Sequence, residues 1–162
     1  MSELWDCVGF VVLDGEHDAS EVAAALPVEV RSMREAPRRH ALAMTIHDGT
    51  VHGGNETCFA VFAADGRTFV APPGGVSSRT GETHWQRALS RRFGRAHWFS
   101  AYEPAPAIAV FEGGEPIGAS SPSREDDVLD ALSAFLSVAD ARTYLSQPQG
   151  RCVILEVEAG RW

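Results

Sequence analysis

The sequence predicts a single α+β domain over residues 1–162, a largely antiparallel β-sheet with three to four helices packed mainly on one face. Three observations carry this expectation. Residues 7–13, CVGFVVL, are apolar at odd and even positions alike, the pattern of a strand buried on both sides. Asp65-Gly66 and Gly113-Gly114 each lie between short apolar runs, where residues that accept positive φ make tight hairpins. Two further segments, opened by Thr83 and by Ser123, repeat their apolar residues at the 3.6-residue helical period.

Taken in order, the first strand leads to Asp18, which with Glu21 forms a capping box for a short helix carrying Val22, Ala25 and Leu26. Pro27 ends that helix, and the alternation over Val28–Arg34 reads as an edge strand. Pro37 then sits in a basic turn, and Leu42, Met44 and Ile46 fall on one face of another strand. The Asp65-Gly66 hairpin follows. A loop rich in Pro, Gly and Ser comes next, then a helix capped by Thr83 and Gln86, buried through Trp85, Ala88, Leu89 and Phe93, and stopped by Gly94.

Strand His97–Glu103 precedes the second hairpin, AIAVFEGGEPIGAS. Ser123 and Asp126 cap the longest helix, whose stripe is Val128, Leu129, Leu132, Phe135, Leu136 and Ala139. Tyr144 and Leu145 fall off that stripe, so Asp140 begins a separate short helix before the final strand Cys152–Glu158. The order hairpin, serine-rich loop, helix, strand therefore occurs twice. Its two starts, Ala60-Val61-Phe62 and Ala109-Val110-Phe111, lie 49 positions apart, which raises an internal ββαβ pseudo-repeat.

Composition narrows the functional classes. A chain of 162 residues with 44% hydrophobic and 22% charged residues can bury a full core without disulfides or metal. All fourteen basic residues are arginine, so Schiff-base chemistry and a Walker-type phosphate loop lack their ammonium. The net charge of −8 opposes broad nucleic-acid binding, which depends on neutralising phosphates. No apolar run is long enough to span a bilayer, and Glu3 and Asp6 stand where a secretory leader carries positive charge, so the expected location is cytoplasmic. Cys7, Cys58 and Cys152 have no metal-type spacing and read as buried reduced thiols.

Four constellations invite a chemical reading. In HDGTVHGGNETC, His47 and His52 are the candidate metal ligands, but no helix-borne ligand spacing accompanies them and the stretch reads as a loop without metal. His84, Arg87, Arg91 and Arg92 share the polar side of one helix and form a candidate anion-binding set. Glu112 and Glu115 on the second hairpin, with Asp126, Asp127 and Asp130 at the following helix start, form a candidate acidic partner-binding surface. Trp98, Tyr102 and Phe62 are aromatics that a concave sheet would gather around a small ligand. The stretch AVFEGGEPIG resembles the central strands of acetyl-coenzyme A-dependent acetyltransferases, but the acidic run after Ser120 replaces the pyrophosphate turn that chemistry needs.

No G-x-S-x-G elbow, phosphate loop or metal motif is present, so no catalytic residue or cofactor is assigned. In size, charge and absence of motifs the chain is similar to small bacterial immunity proteins and antitoxins, which neutralise a toxin by direct binding. That likeness implies a protein partner with a basic surface, and neither nucleic acid nor membrane. The alternatives are a small-molecule-binding or accessory domain with an aromatic-lined pocket, or an enzyme of unrecognised type.

Overall fold

The computed structural model describes residues 9–46, 57–73, 84–101, 106–145 and 151–157. Eight strands form one antiparallel sheet: β1 (Gly9–Asp14), β2 (Val30–Pro37), β3 (Cys58–Ala64), β4 (Arg67–Ala71), β5 (Arg95–Ser100), β6 (Ala107–Glu112), β7 (Glu115–Ser120) and β8 (Arg151–Val157). Their order across the sheet is β2-β8-β3-β4-β1-β5-β6-β7. Among the described residues there are five helices: α1 (Ala19–Ala25), α2 (Arg38–Ile46), α3 (His84–Phe93), α4 (Glu125–Leu136) and α5 (Ala141–Leu145). The α+β class and the antiparallel sheet thus stand as expected.

Helices cover both faces of the sheet rather than mainly one. In β1, Phe10 and Val12 belong to one core with Phe62, Phe69, Leu42 of α2, Leu129 and Leu132 of α4, and Leu145 of α5. Val11 and Leu13 belong to the other, with Phe59, Trp98, Val22 of α1, and Trp85 and Leu89 of α3. A strand apolar at both parities requires a cover on each side, so the pattern that identified β1 as central also demanded two helical layers.

The fifth helix is α2, where alternation at Leu42, Met44 and Ile46 led to the expectation of a strand. Ala41 and Ala43 hold the alternate positions ahead of Thr45, so most of the segment lacks the polar alternate face of a half-buried strand. A run of good helix formers directly after Pro37 favours a helix, and Ala41 and Leu42 are fully buried against the sheet. The edge strand runs Val30–Pro37 and pairs with β8 alone, as an edge strand does.

Both hairpins close as the sequence indicates. Asp65 and Gly66 have φ of 53° and 78°, and Gly113 and Gly114 have φ of 58° and 90°. The pseudo-repeat does not survive as a topology. In the first unit β5 settles one strand away from β4, whereas in the second β8 crosses beneath α4 and α5 to insert between β2 and β3 at the other side of the sheet. The two unit helices, α3 and α4, also pack on opposite faces.

Capping differs in detail. Asp18 occupies the cap position of α1 but makes no side-chain cap bond. Helix α4 is entered from Arg124, not from Ser123. Asp140 does start α5, accepting hydrogen bonds from the Thr143 hydroxyl at 2.8 Å and the Arg142 N–H at 3.3 Å.

Candidate functional site

The five acids expected to form one partner surface are divided by the fold. Glu112 and Glu115 flank the β6–β7 turn, where Glu112 meets Arg95 at 3.0 Å and Glu115 meets Arg87 at 3.9 Å. Asp126, at the start of α4, accepts from Arg142 at 2.6 Å and from Arg124 at 2.9 Å. The Arg142 bond, followed by Arg124, holds its carboxyl below the usual range. Asp127 and Asp130 remain exposed, with no ion pair among the described residues. The unneutralised part of the expected surface is therefore the outward stripe of α4. Strand β7 runs from the hairpin tip towards that helix start, and all six of its residues are exposed; Ile117 keeps 52% of its surface in solvent.

The arginine set on α3 is likewise engaged. His84, Arg91 and Arg92 are exposed and Arg87 is half-buried, which agrees with a polar outer face. Arg87 serves Glu115, the stem of Arg91 lies against Gly114, and Arg92 caps the Phe93 ring at 5.1 Å. Arg87 and Arg91 thus hold the hairpin to the helix, while Arg92 turns to Phe93, and the set does not converge on one point.

Phe62 and Trp98 sit in different cores on opposite faces of the sheet, so they cannot line one pocket; Tyr102 lies outside the described residues. His47 and His52 also lie outside them, and among the described residues no three metal-ligating side chains cluster. Cys58 and Cys152 are buried free thiols. Burial pushes the Cys152 thiol up to about 12 and keeps it protonated.

The feature the sequence reading missed is at the start of α2. Arg38, read there as part of a basic turn, is only 6% exposed. Its guanidinium lies over the Phe62 ring at 4.1 Å from the centroid, and its Nε has no hydrogen-bond partner among the described residues. Burial pulls its pKa down, while Cys152, Tyr144 and Asp65 oppose the shift. The neighbouring carboxylate, Asp65, already accepts the Tyr144 hydroxyl. Tyr144 itself is pushed up to about 12, first by burial and then by that bond, and stays protonated.

Beside this cluster the sheet forks. The β3–β8 ladder ends at Val61↔Val153, whereas β8 continues with β2 as far as Pro37↔Arg151. A shallow groove of about 170 Å³ opens at the fork, lined by Phe62 and Cys152 together with His17, Asp18, Glu35 and Arg151. The only signal for this cluster in the sequence was Arg38 directly after Pro37, at a site now seen as a helix start.

No protein family, curated protein or solved structure matches the chain. No helix among the described residues is long and apolar enough to cross a membrane.

Proposed function

We propose that the chain is a small acidic inhibitor of the bacterial immunity-protein or antitoxin type, which neutralises a toxin by direct binding. The contact surface in this reading is the β7 edge together with the outward stripe of α4. The observation that carries it is β7: an edge strand exposed along all six residues, with Ile117 half in solvent and no charge between Pro116 and Ser120. Such an edge presents backbone donors and acceptors to an incoming strand, the mode in which main-chain bonds give affinity and a few side chains give specificity. Asp127 and Asp130 add negative charge that favours a basic partner, in keeping with the net charge of −8.

The test is co-purification with the product of the adjacent gene, followed by binding kinetics over a salt series. Ile117→Glu is expected to accelerate dissociation, and Asp127→Arg with Asp130→Arg to slow association and flatten its salt dependence. Unchanged kinetics in both variants would remove this surface from the interface.

A further inference from the structure

We propose that the β2 edge pairs with the β2 edge of a second copy of this chain, in antiparallel register about Met33. The inference is independent of the protein-binding reading above, since β2 and β7 close opposite ends of the sheet.

Among the described residues two large apolar side chains stand exposed, Met33 at 51% and Ile117 at 52%, one on each edge strand. Ser32, Arg34 and Glu35 are exposed as well, so the middle of β2 is open to solvent. Which main-chain groups face outward follows from the neighbouring ladder. The Val157 N–H donates to the Thr57 carbonyl at 2.8 Å, so the odd-numbered residues of β8 turn their main-chain groups to β3. The even-numbered residues of β8 then serve β2, and their partners there are Ser32, Arg34 and Ala36. Met33 and Glu35 are left with N–H and C=O directed away from the sheet. Pro37 has the same parity, which suits a residue with no N–H to give.

This edge is complementary to itself. With Met33 opposite Met33 of a second copy, the two residues exchange both main-chain bonds across a twofold axis. Glu35 then stands opposite Arg31 on each side of that axis. Opposite charges across a ladder stabilise it, and like charges directly opposite destabilise it. The nearest registers that keep the outward residues paired fail on this count: one sets Arg34 against Arg34, the other Glu35 against Glu29. Arg31 stands at the shift in register between Val30 and Ser32, so the main-chain ladder centres on Met33 and Glu35. The acidic stripe of α4 does not oppose the contact, because α4 packs on β5, with four strands between it and β2. At about 4.8 Å per strand spacing, that separation exceeds the roughly 8 Å over which salt screens charge.

The experiment is sedimentation equilibrium of the whole chain over a series of protein concentrations, with amide hydrogen exchange at the two ends of the series. A reversible dimer is expected. The Met33 and Glu35 amides should gain protection with concentration, while those of Ser32 and Arg34, already bonded to β8, should not. Glu35→Arg sets like charges opposite each other and should raise the dissociation constant at least tenfold; Arg31→Glu should do the same. The double exchange, Arg31→Glu with Glu35→Arg, restores the opposite pairs and should recover most of the affinity. The exchange readout needs no variant and carries the test should a substitution unfold the chain. A monomer at every concentration would overturn the proposal, as would a dimer indifferent to Glu35→Arg. A dimer lost in Ile117→Glu would place the contact on β7 instead, and a double variant no better than the single ones would overturn the register.

Discussion

The buried hydroxyl of Ser90, on the second turn of α3, accepts the N–H of Gly114 at 2.8 Å while donating to the Arg87 carbonyl at 2.8 Å. One small side chain thus ties the helix to the tip of the β6–β7 hairpin, and Gly113 adds a bond to the Gly94 carbonyl at 3.2 Å. Replacing Ser90 by alanine leaves a buried backbone donor without its acceptor, a loss of about 1–3 kcal/mol. Urea denaturation of Ser90→Ala measures it. A loss below about 0.5 kcal/mol, the range of an ordinary surface substitution, would mean the hairpin tip is not held through this hydroxyl.

The face of α3 is graded. Leu89 is fully buried, and Leu89→Ala should cost about 2–5 kcal/mol through lost contacts and a residual cavity. Phe93 is only partly buried, tilted against the His17 ring with centroids 4.4 Å apart. Phe93→Ala should therefore cost less than Leu89→Ala, although it removes more atoms. The reverse order in paired denaturation curves would contradict the packing described for this helix.

Gly9 begins β1 directly beneath the Trp98 indole, and a Cβ there would overlap the ring. Trp98 is itself wedged edge-on against Trp85, centroids 5.3 Å apart, so it has little room to retreat. Gly9→Ala should destabilise by about 1–3 kcal/mol, the usual effect of forcing one carbon into a packed core. An unchanged melting curve would show that the indole can move.

His97 provides a pH readout. Burial holds its imidazole below the ordinary histidine pKa; Asp14 pulls the other way, and Arg95 and Arg67 push with burial. The ring packs on Phe135 at 4.5 Å between centroids. As pH falls below the unfolded value of about 6.5, the unfolded chain binds a proton before the folded chain does, so stability declines. It is recovered as pH rises back through that value. His97→Gln should flatten the fall in Tm between about pH 6.5 and 5; an identical slope in the variant would assign the decline to other groups.

What was legible in the sequence was local. Asp65-Gly66 and Gly113-Gly114 announce their turns because few residues accept positive φ, and the apolar spacing of Trp85, Leu89, Val128 and Leu132 announces α3 and α4. The alternation at Leu42 misled because alanine is silent about period. The charged groups were the least legible: Glu112 finds Arg95 17 positions away across the β5–β6 pair and Asp126 finds Arg142 16 away where α5 meets α4, pairings set by how the chain folds back and not by spacing. Arg38 was invisible for the same reason, since its burial depends on Phe62 and on the helix that follows it.

The insertion of β8 between β2 and β3 has a consequence for the life of the newly made chain. Among the described strands β2 pairs with β8 alone, so residues 30–37 must wait for residues 151–157 before they have that ladder to join. During synthesis at about 5–20 residues per second, the interval between these two segments leaves the ribosome occupied for several seconds or more. Throughout it, β3 presents an unpaired edge and β2 has nowhere to dock. Contacts of such sequence separation fold slowly, so this chain should depend more than most on whatever shields nascent strand edges in the cell.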